Sequence, residues 1–247
     1  MNKGTVKPLN RKAYGHIGHL PGSRMTPMDH HIHEGQKRIC TEKTRDKHDQ
    51  VIVQEKLDGS CVAIAHLIDG SIVALGRSGY LAQTSKYEMH QRFSAWVRDN
   101  EERFRKLLFP GERLVGEWLI QAHGTRYSLP HEPFVAFDIM RPIRKTNKTV
   151  EDQRIPWAEF YARVSRPCTT PRLIHVGSPL SIEDMLKILE PSGHGAIDPV
   201  EGAVWRVERD NAVDFLAKWV RPDKVDGKYL PEMSKQDPVW NTWKDSI

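Results

Sequence analysis

The spacing of apolar and polar residues changes several times along the chain, and each change predicts a different element of secondary structure. Short runs of β-branched and aliphatic residues, bounded by polar residues, predict strands. These strands cover residues 51–56, 61–65, 113–119, 134–140, 200–208 and 213–221. Asp69-Gly70 predicts a hairpin between residues 67 and 73, because this dipeptide accepts the positive φ angles of a type I′ turn. Asn211 predicts a second turn, between the last two strands.

Two segments have the apolar spacing of an amphipathic helix. Residues 87–108 form the first segment, and its apolar stripe consists of Phe93, Trp96, Val97, Phe104, Leu107 and Leu108. Residues 181–190 form the second segment, where Ser181 and Asp184 have the spacing of a capping box and Pro191 stops the helix. Because these helices interrupt the strands irregularly, the pattern favours an α+β fold of antiparallel sheets flanked by helices over an alternating α/β fold.

Composition narrows the class of protein and its compartment. The 247 residues suffice for one large domain with a small appendage. Hydrophobic residues make up 38% and charged residues 28%, which is typical of a globular chain, and no apolar run is long enough to cross a membrane, so no membrane partner is expected. Cys40, Cys61 and Cys168 are odd in number and lack a Cys-x-x-Cys pair, which argues against a disulfide scaffold and indicates the reducing cytoplasm. The net charge of +5 suits a protein that handles phosphates.

The segment with the most chemical information is residues 54–60. Lys56 ends a predicted strand, and Asp58 and Gly59 come next in a tight turn, where glycine permits the backbone to approach a ligand closely. By itself this Lys-x-Asp-Gly pattern is also that of an ordinary hairpin turn with a surface lysine. Its meaning therefore depends on the residues further along the chain.

Four further residues that could carry chemistry occur in order along the chain. Each lies near the start or the end of a predicted strand. They are Glu117, Phe137, Glu201 and Lys218. Taken singly, each has a structural interpretation, since strand-end carboxylates and core phenylalanines are common. Their order after Lys56 gives the pattern its specificity.

In this order the residues resemble the covalent nucleotidyltransferase superfamily, which comprises RNA ligases, DNA ligases and mRNA capping enzymes. The segments that match its motifs I, Ia, III, IIIa, IV and V in turn begin at Lys56, Arg77, Gly116, Phe137, Glu201 and Lys218. The resemblance spans residues 51–221 and is strongest to the ATP-dependent RNA ligase family. It implies a nucleotidyltransferase (ATP-grasp-like ligase) domain at residues 49–230, preceded by a basic, irregular arm at residues 1–48 and succeeded by a tail at residues 231–247.

The resemblance implies a catalytic role for three residues. Lys56 is expected to attack the α-phosphate of ATP, displace pyrophosphate and hold AMP as a phosphoramidate, for which it needs a neutral amine. Lys218 is expected to neutralise charge on the α-phosphate during this transfer. Glu201 is expected to bind Mg²⁺ or Mn²⁺, directly or through water.

The resemblance also assigns residues to ATP. Phe137 is expected to stack on adenine and Glu117 to accept hydrogen bonds from the ribose hydroxyls. The backbone around Gln54 and Glu55 is expected to read the edge of adenine, and Asp58 and Gly59 belong to the same ATP-binding segment as Lys56. Arg77 is expected near the ribose or the 5′-phosphate of the nucleic-acid strand.

Motif V departs from the pattern of its superfamily, which is two lysines separated by one residue. Val220 occupies the second position, and on a strand it shares a face with Lys218, whereas Arg221 points away. Either Arg221 reaches the phosphate through a local bulge, or Lys224 or Lys228 serves from the following turn. Lys224 is in addition expected to contact the nucleic acid.

The N-terminal arm carries a second cluster of chemically active side chains, namely His16, His19, Arg24, His30, His31 and His33. Histidines in a short span can bind zinc. No cysteine accompanies them and no His-x₃-His helix pattern is evident, which favours basic loops that touch phosphates. The segment around Arg24 resembles one ahead of motif I in some bacterial and phage RNA ligase-like proteins, so Arg24 is expected to contact the ATP tail or the nicked strand.

Only 26 residues come after Arg221. DNA ligases and capping enzymes carry an OB-fold of ~100 residues there, so the expectation is a monomeric RNA ligase without an OB-fold domain. It would join a 5′-phosphate to a 3′-hydroxyl of RNA or of a nicked nucleic-acid duplex. The arm and surface lysines and arginines, or a partner repair protein, would clamp this substrate. Two alternatives stay open: a minimal DNA ligase, or a nucleotidyltransferase or nucleic-acid-binding subunit that does not itself seal strands.

Overall fold

A computed structural model describes residues 7–144, 146 and 150–243. The strands are β1 (Gly18–His19), β2 (Asp49–Lys56), β3 (Ser60–His66), β4 (Ile72–Gly76), β5 (Arg113–Trp118), β6 (Ser128–Leu129), β7 (Phe134–Arg144), β8 (Val150–Arg154), β9 (Leu173–Gly177), β10 (Gly202–Arg209), β11 (Ala212–Val220) and β12 (Thr242–Trp243). The helices are α1 (Glu34–Thr41), α2 (Glu88–Asp99), α3 (Glu101–Leu107), α4 (Trp157–Val164), α5 (Ile182–Ile188) and α6 (Pro231–Ser234), with a 3₁₀ turn at Ala82–Thr84. The outer ends of the predicted arm and tail, residues 1–6 and 244–247, lie outside the described residues.

The chain divides into two compact units. The first comprises Met1–Gly15, Ser60–Ile120 and Phe134–Thr170. The second comprises His16–Gly59, Gln121–Pro133 and Pro171–Ile247. Each unit is built on its own five-stranded sheet and also contains helices, as is typical of an α+β fold.

The sheet of the first unit is antiparallel, in the order β4-β3-β5-β7-β8. Aromatic side chains of α2 pack on one of its faces: the ring of Phe93 lies 5.3 Å from that of Trp118 and 5.9 Å from that of Phe134. Trp96 lies 5.4 Å from the same Trp118. The apolar stripe read from the sequence is therefore the surface that attaches these helices to the sheet.

The predicted helix at residues 87–108 is interrupted in the structure, where Asn100 separates α2 from α3. Asn100 has φ −113° and ψ 17°, and its side-chain amide donates a hydrogen bond of 2.9 Å to the carbonyl of Trp96. Asparagine competes in this way with the helical hydrogen bonds of the backbone. Each half buries part of the predicted apolar stripe, Phe93 and Val97 in α2 and Phe104 in α3. The predicted stripe was therefore correct, and the prediction of one continuous helix was wrong.

The sheet of the second unit has the order β1-β11-β10-β2-β9. β1 pairs with β11 in parallel, and the other pairs are antiparallel. Alternate residues of β2 and β10, among them Val53 and Trp205, are fully buried in a core that also takes in Cys40 of α1 and Met185 of α5. One face of this sheet thus forms the core, and the opposite face carries Gln54, Lys56 and Lys218.

The six predicted strands are confirmed, as is the α5 helix with its cap: the Ser181 hydroxyl accepts a hydrogen bond from the Asp184 amide at 3.0 Å. The type I′ turn was assigned to the wrong loop. Asp210 and Asn211 both have positive φ, 48° and 59°, whereas at Asp69-Gly70 the positive value, 88°, belongs to the glycine.

The arm was expected to be irregular, but it contains the two-turn helix α1 and the short strand β1. β8, α4 and β9 were not predicted either. β9 lies at the edge of its sheet with half-exposed residues, so it lacks the alternation that marks buried strands. No helix within residues 7–144 or 150–243 has the length and hydrophobicity to span a bilayer.

Candidate active site

Lys56 and Glu201 meet at the end of two paired strands. Lys56 is the last residue of β2 and lies opposite Gly202, the first residue of β10. The Nζ atom of Lys56 lies 2.6 Å from Oε2 of Glu201, and both side chains are largely withdrawn from solvent, with exposures of 22% and 7%. A side chain at Gly202 would place its Cβ 1.9 Å from the carbonyl oxygen of Trp219. Only glycine therefore allows the chain after Glu201 to enter the sheet here.

Lys224 is the second cation of this cluster. Its Nζ lies 2.5 Å from Oε1 of Glu201 and 2.8 Å from Oδ1 of Asp58, and its side chain is 5% exposed. Glu201 thus shares its two oxygens between Lys56 and Lys224. The result is a chain of alternating charges that runs from Lys56 through Glu201 and Lys224 to Asp58.

Asp58 is fixed by further groups. Its Oδ2 accepts a hydrogen bond of 2.7 Å from the amide of Gly124, and its own amide donates to the hydroxyl of Tyr127 at 3.1 Å. Burial alone would raise the pKa of Asp58, but the ammonium of Lys224 outweighs it, and the pKa lies below its ordinary value. Asp58 is therefore an ionised, buried carboxylate that holds Lys224 in place.

Lys218 and Gln54 lie on the same face of the sheet as Lys56. In the register of the strands Lys218 faces Val204, and Val204 faces Gln54, which is two residues before Lys56. Because side chains alternate between the faces of a sheet, this row projects on the side of Lys56. The structure thus places Lys56, Lys218 and Gln54 on one face of this sheet.

Lys218 has an acidic neighbour from the N-terminal arm. Its Nζ lies 3.6 Å from Oδ1 of Asp29, and Nε2 of His19 lies 3.2 Å from the same oxygen. Burial would raise the pKa of Asp29, but hydrogen bonds from Thr26 and the charge of Lys218 hold it well below its usual range. Burial, together with the charge of Lys218, lowers the pKa of His19.

Glu55 projects from the opposite face of β2, away from Lys56. Its carboxylate accepts hydrogen bonds from Arg172 at 3.1 Å, from the Ser192 hydroxyl at 2.6 Å and from the Gly193 amide at 2.8 Å. It is 2% exposed. The Glu55 side chain therefore holds the loop before β10, and the Glu55 amide donates 2.9 Å to the carbonyl of Arg172.

The side chains of Arg221 and Arg24 have partners outside this cluster. Arg221 forms two hydrogen bonds with Asp223, at 2.7 and 2.9 Å, and Arg24 pairs with Asp226 at 2.9 Å. Of the three candidates for the missing basic residue of motif V, Lys224 is the one whose side chain reaches Glu201. Its burial places it inside the cluster rather than on a surface that a nucleic-acid strand could cover.

Arg77, Glu117 and Phe137 belong to the first unit. Arg77 lies just after β4, is exposed and donates a hydrogen bond of 3.0 Å to the carbonyl of Gly15. Glu117 lies in β5 opposite Val135 of β7. Phe137 is the extra residue of a bulge in β7, and its half-buried ring meets the ring of Tyr14 edge to face at 5.3 Å.

A comparison with models of protein families matches residues 49–220 to the one described as RNA ligase. This segment contains Lys56, Glu201 and Lys218. The chain belongs to the RNA ligase family. Among the curated proteins no sequence matches.

Solved structures of an RNA ligase from Naegleria gruberi share the fold. An RNA ligase from Naegleria gruberi with PPi is 19% identical over 89% of this chain and 62% of that chain, with a TM-score of 0.51. A mutant of the Naegleria gruberi enzyme with ATP and Mn is 18% identical over the same shares, with a TM-score of 0.50. An archaeal ATP-dependent RNA ligase is 23% identical over 70% of this chain and 42% of that chain, with a TM-score of 0.46. The chain thus spans 42% to 62% of the length of these proteins.

The residues present are compatible with a divalent metal at Glu201. Carboxylate oxygen is the ligand that Mg²⁺ and Mn²⁺ prefer, and Mg²⁺ typically takes one or two carboxylates together with water and substrate phosphates. In the described part of this RNA ligase family member, no group of three or more His, Cys, Asp and Glu side chains could hold a metal ion by itself. At this position Glu201 offers one carboxylate, whose two oxygens contact the ammonium groups of Lys56 and Lys224.

Sequence reasoning missed several residues that surround the predicted residues of the candidate site. They are Asp29, Gly124, Tyr127, Arg172 and Ser192. All of them act on the predicted residues from loops that are distant in sequence. The sequence does contain one signal, since Thr26 and Asp29 have the spacing of a polar turn, in which the Thr26 amide donates 2.9 Å to the Asp29 carboxylate.

Proposed function

We propose that this member of the RNA ligase family is an ATP-dependent polynucleotide ligase that works through a covalent lysyl-AMP intermediate at Lys56. The Nζ atom of Lys56 attacks the α-phosphate of ATP, an N–P bond forms, and the P–O bond to pyrophosphate breaks. AMP then passes to the 5′-phosphate of a strand, and the 3′-hydroxyl of the neighbouring strand displaces AMP to seal the nick. The observation that carries the proposal is the contact of Lys56 with Glu201, 2.6 Å, at the end of β2.

Two further cations accompany Lys56. An amine attacks only as the free base, and Lys224 shares the Glu201 carboxylate with Lys56 by binding its other oxygen at 2.5 Å. Lys218 lies on the same face of the sheet and supplies positive charge for the α-phosphate.

Glu201 is the residue that would hold a Mg²⁺ or Mn²⁺ ion brought in with ATP. When bound, the ion supplies positive charge that neutralises the phosphate oxygens. The chain's own part is to fix the position of Glu201, and it does so through Gly202 and through the hydrogen bond, 2.9 Å long, from the Arg221 amide to the Glu201 carbonyl.

The remaining ATP contacts rest on the motif match. Phe137 stacks on adenine, Glu117 binds the ribose hydroxyls, and Arg77 lies near the ribose or the 5′-phosphate of the strand. Arg24, whose side chain is partly exposed, is the arm residue that we expect to contact nucleic acid. A net charge of +5 supports binding through phosphates, which weakens steeply as salt rises.

We propose RNA as the strand that supplies the 3′-hydroxyl, as the family match suggests. The test presents pre-adenylylated protein with nicked duplexes whose 3′-terminal sugar is ribose or deoxyribose. Preferential sealing of ribose ends supports an RNA ligase, and the reverse preference indicates a minimal DNA ligase. Protein that takes up label from α-labelled ATP but seals neither nick is a nucleotidyltransferase alone. Protein that takes up no label is a binding subunit, and the proposal then fails.

A further inference from the structure

The segment of the arm around residues 18–24 is bonded directly to the strand that carries Lys218. β1 continues the sheet beside β11, with His19 next to Lys218. The Leu20 amide donates 2.8 Å to the carbonyl of Lys218, and the Arg24 amide donates 2.9 Å to the carbonyl of Val220. The arm is therefore part of the sheet at the point where the candidate catalytic lysine projects.

Contacts of the arm link the Val220 amide of β11 to the Lys218 ammonium. Because both residues belong to β11, these contacts close into a ring. The Val220 amide donates 2.9 Å to the hydroxyl of Ser23, and that hydroxyl lies 2.7 Å from Nδ1 of His19. Nε2 of His19 lies 3.2 Å from Oδ1 of Asp29, and this oxygen lies 3.6 Å from Nζ of Lys218. The path, named the arm ring, thus consists of Val220, Ser23, His19, Asp29 and Lys218.

Asp29 is the residue of the arm ring that contacts the Lys218 ammonium, and its carboxylate is fixed by other groups. Its second oxygen accepts hydrogen bonds from the amide and the hydroxyl of Thr26, at 2.9 and 2.8 Å. His19 is buried, with 2% of its surface exposed. A lysine has long, flexible rotamers, and ordering them costs conformational entropy. A fixed carboxylate beside the ammonium restricts those rotamers before any nucleotide arrives.

We propose that Asp29, whose carboxylate is fixed by Thr26 and lies beside His19, is a positioning residue for Lys218, and that the N-terminal arm is in this way a working part of the adenylylation site. The inference rests on the proposed function, because Lys218 matters only if the protein transfers AMP. Asp29 acts through Lys218, so its loss slows the transfer step more than it weakens ATP binding. Displacement of a catalytic group by about 1 Å costs up to ~100-fold in rate.

The experiment measures protein–AMP formation from α-labelled ATP, as a function of ATP concentration, for the full chain and four variants. These are Asp29→Asn, Ser23→Ala, Lys218→Ala and the double variant Asp29→Asn with Lys218→Ala. Asp29→Asn is expected to lower the rate at saturating ATP at least ~10-fold with less than about a threefold change in half-saturating ATP, and Ser23→Ala to lower it in the same sense by a smaller factor. The double variant is expected to be as slow as Lys218→Ala alone, because residues that act as a unit are not additive.

Asp226→Asn is the matched control. It removes an ion pair of the same arm segment, with Arg24 at 2.9 Å, that lies outside the arm ring, and it is expected to keep the wild-type rate. Wild-type rates in both Asp29→Asn and Ser23→Ala, independent losses in the double variant, or an equal loss in Asp226→Asn would each overturn the inference while leaving the proposed function intact. Absence of label on the unmodified chain would instead mean that the proposed function itself fails.

Discussion

Lys56 Nζ and Glu201 Oε2 lie 2.6 Å apart, although 145 residues separate them in the chain. The antiparallel pairing of β2 with β10 creates this contact, because it sets Lys56 opposite the residue directly after Glu201. The other oxygen of Glu201 binds Lys224. Two cations therefore share one buried carboxylate, and removal of either one alters the environment of the other.

Lys224, rather than Arg221, is expected to be the second basic residue of motif V. Lys224→Met should slow protein–AMP formation at least ~100-fold and lower the free energy of unfolding by about 3 kcal/mol, because it leaves Asp58 and Glu201 buried without their shared cation. Arg221→Met should stay within about threefold of the wild-type rate, since the Arg221 side chain pairs with Asp223. Label-transfer rates and urea unfolding measure both effects. A larger rate loss in Arg221→Met than in Lys224→Met would reverse the assignment.

Much of this arrangement could be predicted from sequence, because the alternation of apolar residues in β2, β10 and β11 marks strands whose ends carry Lys56, Glu201 and Lys218. Lys224 could be named only as one of three candidates. Whether Arg221, Lys224 or Lys228 reaches Glu201 depends on the path of the turn after β11, which local sequence does not determine. Gly124, about a hundred residues before Lys224, donates its amide to the same Asp58 carboxylate that Lys224 binds.

The arm ring could not be predicted for a similar reason. It depends on the parallel pairing of β1 with β11, and the hydrogen bond from Val220 to Ser23 joins residues 197 positions apart. A two-residue strand has no periodicity that a pattern could detect.

The α4 helix, in contrast, carried a usable signal in the sequence, because Phe160 and Val164 are buried at helical spacing after Pro156.

The Glu55 side chain is expected to stabilise the fold rather than to bind ATP. Glu55→Gln removes the charge that faces Arg172 in a buried site and should lower the free energy of unfolding by about 3 kcal/mol. Half-saturating ATP should change less than about twofold, because this carboxylate lies on the face of β2 opposite Lys56. Chemical denaturation and ATP titration of label transfer provide the two measurements. If Glu55→Gln instead kept the wild-type stability and raised half-saturating ATP roughly tenfold, the carboxylate would reach the nucleotide.

The buried histidines predict a loss of stability in mild acid. Burial, with the nearby His131 and Arg172, lowers the pKa of His194 to about 3, whereas an unfolded histidine titrates near ~6.5. The unfolded chain therefore binds more protons between these values, and the free energy of unfolding falls as the pH drops below ~6.5. From pH 7 to pH 5 the His194 contribution amounts to about 2 kcal/mol.

Urea unfolding of the wild type and of His194→Gln at pH 7 and pH 5 checks this effect. The variant should be less stable than the wild type at pH 7, since it alters the contacts that His194 makes with His131 and with the Arg172 amide. It should also lose less stability on acidification. An identical pH dependence in the two proteins would show that His194 is already protonated, or exposed, in the folded state.

Phe137 is expected to serve ATP binding and not the chemical step. Phe137→Ala should raise half-saturating ATP about 10-fold, as the loss of one stacked base contact requires, while the rate at saturating ATP changes little. Phe137→Tyr keeps a ring beside Tyr14 and should retain most of the affinity. ATP titrations of label transfer distinguish these outcomes. Unchanged half-saturation in Phe137→Ala, or a fall in the saturating rate alone, would remove Phe137 from the adenine site.

The identity of the nucleophile is tested most directly by mass spectrometry of the protein after incubation with ATP and Mg²⁺. The account predicts that the intact chain gains the mass of one AMP, that the modified peptide carries it on Lys56, and that Lys56→Ala and Lys56→Arg gain nothing while remaining folded. Glu201→Gln keeps Lys56 and should still form the same adduct, more slowly. AMP on a different residue, or an adduct of wild-type yield in Lys56→Ala, would contradict the account.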